Sequence, residues 1–209
     1  MTLLISGTEL MRQIAETSRL EWLAFFSAVL QVWLALKNRR INFLFGIFSV
    51  ACYIEVFRLS GLYAESLLNG YYLIMSIAGY FSWHQKNKLI ISVMKPMEHF
   101  KMASLTLLLS FLLFFYLRTF TSSTVPVWDA FISALAWIGT WLMVRRKLEN
   151  WLYLNISNTL AIPLLWYKGL ELTALLTLIY WILAIRGWFA WKKQFHQPSG
   201  NENLSVPVN

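Results

Sequence analysis

Hydrophobic residues run along this chain in seven blocks, roughly 22–36, 43–60, 64–84, 102–120, 127–144, 150–167 and 170–191, separated by short polar stretches. A helix needs about 20 residues to cross the hydrocarbon core of a bilayer, and each block approaches that length. The pattern predicts an all-α integral membrane protein with seven transmembrane helices. The third block breaks the pattern. "LYAESLLNGYYLIMSIAGYFSW", residues 62–83, carries Glu65, Asn69, Tyr72 and Ser76. Each polar group left unsatisfied in hydrocarbon is costly. At about 100° per residue, these four and Gly79 share one face of a helix.

The same stretch recurs. Displaced by 108 residues it lies over "LELTALLTLIYWILAIRGWFAW" without a gap, with 9 of 22 positions identical. The offset also sets Glu21 on Asp129, Trp33 on Trp141, Lys37 on Arg145, Asn42 on Asn150 and Gly61 on Gly169. Apolar composition matches leucines by chance, but it does not align loop charges and loop glycines. Each repeat holds three helices, and the block at 102–120 belongs to neither. A unit of three ends on the opposite side from its start, so one extra crossing lets the second unit run parallel to the first. The expected architecture is three helices, one linker, three helices, with parallel repeats about an axis along the membrane normal. The divisions are an N-terminal extracytoplasmic segment 1–20, a first repeat with its cytoplasmic loop 21–101, a linker helix 102–120, a second repeat 121–192 and a disordered cytoplasmic tail 193–209.

Composition agrees with a membrane protein. Hydrophobic residues make up 58% of the 209 positions and charged ones only 13%, against about 25% charged in a soluble domain. The net charge of +8 would suit nucleic acid, but its placement does not. Lys37, Arg39 and Arg40, then Lys86, Lys88, Lys95 and Lys101, then Arg145, Arg146 and Lys147, then Lys192 and Lys193 occupy alternate loops. By the positive-inside rule these loops are cytoplasmic, which puts the N-terminus outside and the C-terminus inside. One cysteine, Cys52, excludes an intrachain disulfide and is expected to pack.

The polar positions at membrane depth are the candidate chemistry. Taken singly, Ser27, Ser76, Thr173 and Thr177 suit helix–helix contact, and Gly79 and Gly187 suit close packing. Glu65 stands one turn from a helix end, where a carboxylate also suits the helix dipole, and Glu21 and Asp129 are expected to cap their helices. Glu55 and Arg58, three apart, are expected to pair. The amides are less easily absorbed. Asn69, Asn155 and Asn158 carry donors and acceptors to depth, on helices that also hold Tyr72 and Tyr180 or lie beside them. Gln31 adds another amide. With Ser76, Thr177, Trp151, Trp181 and Glu65 they form a candidate substrate wall, in which the indole rings stack on a flat or cationic ligand. Trp22, Trp83, Trp128, Trp188 and Trp191 fall near block ends and are expected in the aromatic belts. No phosphate loop, zinc-protease helix or nucleophile elbow occurs. His84, His99 and His196 have no metal-site neighbours, so neither catalytic residue, metal nor cofactor is expected.

"INFLFG", "WDAFISALAW", "RRKLENWLYLNISN" and the two repeated stretches together resemble the PnuC family of vitamin transporters over residues 20–192. The resemblance implies a SWEET-like fold and uptake of an unphosphorylated vitamin by facilitated diffusion, with a cytoplasmic kinase trapping the product. It also implies a homotrimer in the bacterial inner membrane. Nicotinamide riboside members carry a glutamine where this chain has Asn69 and a tryptophan where it has Leu154. These departures resemble the thiamine-transporting branch and slightly favour thiamine, with nicotinamide riboside next and riboflavin or another vitamin behind. A non-transporting membrane scaffold or subunit is the alternative of another class.

Overall fold

The computed structural model describes residues 7–60, 62–84 and 90–196, with main chain alone for 7–9 and 63–65. Among the described residues eight helices form: α1 (Gly7–Glu16), α2 (Arg19–Leu36), α3 (Asn42–Leu59), α4 (Tyr63–Ser82), α5 (Pro96–Phe120), α6 (Pro126–Val144), α7 (Asn150–Tyr167) and α8 (Glu171–His196). The seven hydrophobic blocks fall on α2 to α8. Five of these, α2, α3, α5, α6 and α8, are long and apolar enough to cross a membrane. Helices α4 and α7 have comparable lengths of 20 and 18 residues, but amides and aromatic hydroxyls dilute their apolar content. These two helices are the ones that carry Asn69, Asn155 and Asn158.

The element ends follow local chemistry. Helix α2 opens on a capping box in which Ser18 Oγ accepts the Glu21 amide at 3.2 Å and Glu21 accepts the Ser18 amide at 2.7 Å. Helix α5 starts at Pro96, earlier than its hydrophobic block. Proline suits the first turn, and Glu98 accepts the Lys95 amide at 2.7 Å. Asp129, expected as a cap, instead accepts Lys168 Nζ at 2.5 and 2.7 Å and Ser123 Oγ at 2.5 Å. It ties the start of α6 to the α7–α8 corner. Glu55 pairs with Arg58 at 2.6 and 2.8 Å. Helix α8 continues to His196, so residues 193–196 are helical and not part of a disordered tail; residues 197–209, like loop residues 85–89, lie outside the described residues.

Helix packing runs in a closed circuit: α2 on α3, α3 on α4, α4 on α6, α6 on α7, α7 on α8, and α8 back on α2. Helix α5 lies against α6, and α1 against α8. The contacts recur at the 108-residue offset. Ser49 donates to the Ala24 carbonyl at 2.8 Å, and Ser157 to that of Ile132 at 2.9 Å. Asn42 donates to the Arg39 carbonyl at 2.7 Å, and Asn150 to that of Lys147 at 2.6 Å. Helices α2 and α6 both end in a left-handed residue, Asn38 (φ 54°) and Arg146 (φ 51°). Each end closes with the paired backbone bonds of a Schellman turn: Arg39 to Leu34 and Asn38 to Ala35, Lys147 to Leu142 and Arg146 to Met143.

Segment 90–95, ahead of α5, is pinned to the α6–α7 corner. Ser92 exchanges backbone bonds with Arg146 (3.1 Å) and Leu148 (2.8 Å), and Glu149 accepts the Met94 amide at 2.7 Å. At the other end of the bundle, Gln13 of α1 donates to the Gly169 carbonyl (2.9 Å) and the Glu171 carboxylate, and accepts the Leu172 amide at 3.1 Å. That amide is one of the donors a helix N-terminus leaves unsatisfied.

Candidate functional site

At the end of the bundle that carries the basic loops, a first group of helices, α2–α4, meets a second, α6–α8, in an aromatic plug. Trp83 and Trp191 are 3% and 0% exposed, and their ring centroids are 6.0 Å apart. Phe43 meets Trp83 edge-on at 4.9 Å, and its repeat counterpart Trp151 meets Trp191 edge-on at 5.5 Å. Gly79 and Gly187 make room for those rings: a Cβ on Gly187 would stand 2.6 Å from the Trp151 indole, and one on Gly79 would overlap Phe43. Each plug indole bonds across to the other group. Trp83 Nε1 donates to the Val144 carbonyl at 3.0 Å and Trp191 Nε1 to that of Ala35 at 3.1 Å. Arg146, 2% exposed, lays its guanidinium 4.1 Å from the centre of the Trp83 ring. Burial lowers its pKa from 12.5 to about 10, which leaves it cationic at neutral pH.

This plug corrects two expectations. Trp83 and Trp191 were assigned to aromatic belts, but they are buried between the groups, because each also has a carbonyl to bond and a glycine-made slot beside it. Trp151 was placed along a substrate path. It is 1% exposed and belongs to the plug, with one edge on a lateral groove between α7 and α8 that Asn155 shares with Leu152, Ile185, Trp188 and Phe189.

Deeper in the first group, three polar positions converge. A Cβ on Gly46 of α3 would lie 2.8 Å from the Gln31 carboxamide of α2 and 3.0 Å from Ser76 Oγ of α4. Ser76 is 3% exposed. Among the described residues, neither Gln31 nor Ser76 forms a hydrogen bond, and the same holds for the Tyr72 and Tyr180 hydroxyls and the Asn155 and Asn158 side chains. Asn69 stands on the face of α4 shared with Tyr72 and Ser76. Thr177 is spoken for: it is buried and donates to the Thr173 carbonyl at 2.8 Å. Trp181 Nε1 donates to Thr159 Oγ1 at 2.9 Å. The Glu65 side chain lies outside the described residues.

Several residues escaped the sequence reading. Tyr71 stacks on Trp137 at 4.4 Å and donates to its carbonyl at 2.8 Å, which fastens α4 to α6. At the repeat-equivalent places on α8 and α2 stand Ile179 and Val29, which form no such bond. Pro163 lies inside α7 and leaves the carbonyl four residues back without its helical donor, in the helix of Asn155 and Asn158. Gly46 is a third such residue. Laying the halves over each other would have found it, because its counterpart is Leu154.

The chain was compared with known proteins. The family described as nicotinamide mononucleotide transporter matches residues 18–193. The nicotinamide riboside transporter PnuC of Escherichia coli K12 is 20% identical over 205 residues, covering 84% of this chain and 86% of that protein. The Shigella flexneri protein of the same name matches to the same extent. A crystal structure of the vitamin B3 transporter PnuC superposes with a TM-score of 0.71 at 21% identity, covering 90% of this chain and 87% of that one. Polar groups at depth in a repeated all-helical bundle, and a family match across most of its length, lead to one conclusion: this chain belongs to the nicotinamide mononucleotide transporter family, the PnuC family, and is a multi-pass membrane transporter and not an enzyme.

Proposed function

We propose that this protein carries an unphosphorylated vitamin with a flat cationic ring, nicotinamide riboside ahead of thiamine. One observation carries the reading: six polar side chains at depth are neutral and form no hydrogen bond among the described residues. Gln31, Tyr72, Ser76, Asn155, Asn158 and Tyr180 offer amides and hydroxyls, which in a membrane bundle need water or a ligand to satisfy them. A phosphate would call for a cation. The arginines within α2 to α8 do not meet that need, since Arg19, Arg58, Arg118 and Arg186 are all exposed. Aromatic rings at Tyr72, Tyr180 and Trp181 suit a pyridinium or thiazolium face.

The named relatives support nicotinamide riboside as first substrate, whereas the family's description names its 5′-phosphate, the mononucleotide. Thiamine is the second reading, favoured by Asn69 and Leu154, which depart from the nicotinamide riboside pattern. On this reading Asn69 fixes the ligand's hydrogen bonds, and Glu65 and Thr177 complete the wall toward its mouth. The recurring contacts at the 108-residue offset favour the 3+1+3 architecture. The basic end is the cytoplasmic one by the positive-inside rule, in the inner membrane of a bacterium. Movement is by facilitated diffusion, a cytoplasmic kinase traps the product, and the working unit is a homotrimer.

Uptake of labelled nicotinamide riboside into proteoliposomes, with thiamine as competitor, tests the substrate. Saturable uptake that is lost in a folded Asn69→Leu variant is expected. Saturable uptake of thiamine with none of nicotinamide riboside would reverse the order, and uptake of neither by folded protein would refute the reading.

A further inference from the structure

Gly46 stands where the Gln31 side chain of α2 and the Ser76 hydroxyl of α4 converge on α3. The three-helix junction around it exists twice in the molecule. In the first group it is built from Gln31, Gly46 and Ser76; in the second, from their counterparts Gly139, Leu154 and Ala184. The second junction closes by exchanging large and small: a Cβ on Gly139 would meet Leu154 Cγ at 2.8 Å and Cδ2 at 2.9 Å. Glycine on one helix receives the side chain of its neighbour in both cases, with the roles of the two helices reversed. Packing is satisfied by three apolar residues in the second group. It therefore does not require an amide and a hydroxyl in the first.

Their presence is costly as well as unnecessary. Ser76 is 97% buried by its 3% exposure, and its hydroxyl forms no hydrogen bond among the described residues. Polar groups buried in that state are destabilising unless a partner arrives. Gln31 offers one donor group and one acceptor within reach of the same point, and no charge. We propose that the Gln31–Ser76 pair, held together over the bare backbone of Gly46, receives the hydroxyl-bearing, uncharged end of the ligand, and that the missing side chain at position 46 sets how far the Gln31 amide reaches. The inference rests on the substrate reading above and adds which end of the ligand faces the first group. A cation has no partner at this junction, so the ring is left to the aromatic residues.

The test compares a hydroxylated ligand with a hydroxyl-free one. Affinities of nicotinamide riboside and N-methylnicotinamide, a pyridinium cation without hydroxyls, are measured by thermal stabilisation and titration for wild type and Gly46→Ala. Should wild type take thiamine instead, thiamine and its analogue with ethyl in place of hydroxyethyl serve in the same way. The added methyl meets the flexible end of Gln31, so the variant is expected to fold. It should lose about tenfold in affinity for the hydroxylated ligand and less than about twofold for the hydroxyl-free one. Ser76→Ala, which adds no volume, should show the same selective loss and serves if Gly46→Ala does not fold. Equal losses for both ligands, or none for either in a folded variant, would overturn the proposal while leaving the substrate reading intact. Failure of the wild type to bind any of these ligands would overturn the substrate reading itself.

Discussion

At their basic ends α2–α4 and α6–α8 are built alike, and one level deeper they are not. Near the loops the correspondence extends to individual contacts: Asn42 and Asn150 bond the same way, Phe43 and Trp151 meet a tryptophan edge-on, and Lys37 and Arg145 each cover the indole one turn before them, at 3.6 and 4.3 Å. At the three-helix junction the first group is polar and the second apolar. The seams between the groups also differ, since Tyr71 bonds across α4–α6 while Ile179 cannot across α8–α2. The lesson is one of internal control. Where both copies agree, the residues serve the fold that both must adopt. Where one copy carries polar groups that the other manages without, the polar groups are candidates for function.

Breaking the shared part should have the largest effect and should be symmetrical. Trp83→Ala and Trp191→Ala each remove a buried ring and a cross-group hydrogen bond. Each is expected to cost roughly 3 kcal/mol or more of stability, read as a fall in the unfolding midpoint in detergent. A large loss for one and none for the other would break the equivalence. Next in size is the junction, where the comparison should separate. Gly139→Ala drives a methyl to 3.2 Å from the Leu154 backbone nitrogen as well as into its side chain, and should cost about 1–3 kcal/mol. Gly46→Ala meets only side-chain ends and should cost less than about 1 kcal/mol. Similar losses for the two would mean that Gln31 and Ser76 are as firmly packed as Leu154. The smallest difference is expected at the corners opposite the plug. Lys168→Met strips Asp129 of a partner where both side chains are 20% exposed, and should lower stability by about 1–2 kcal/mol. Arg58→Met opens a pair whose side chains are 55% and 44% exposed, and should change stability far less. Unfolding curves of the two variants, measured side by side, check the order.

Much of the fold was legible because membrane helices announce themselves by length and apolarity, and because the repeat recurs without gaps. The ends were less so. Pro96 and Glu98 start α5 ahead of its apolar block, and Lys192 and Lys193 extend α8 past its own, since a helix continues into water where polarity gives no sign of a stop. The candidate site was legible as a list of polar residues and not as an arrangement. Helical spacing put Ser76 on the face of Asn69, but it could not say that Gln31 on another helix meets it over Gly46. Trp151 misled for a related reason: an indole near amides fits a cavity or a core equally well by sequence, and its partner Gly187, 36 residues on, decides for the core. The cross-group bonds of Trp83 and Trp191 involve backbone carbonyls, which no side-chain pattern encodes.

Titration of purified wild-type protein with nicotinamide riboside and with its 5′-monophosphate tests most directly whether neutral polar groups at depth make a site for an unphosphorylated vitamin. Saturable binding of the riboside with none of the monophosphate is the expected result. Binding of the monophosphate as tight as that of the riboside would contradict it, because a phosphate held at that depth requires a cation that Gln31, Ser76 and the tyrosines do not supply.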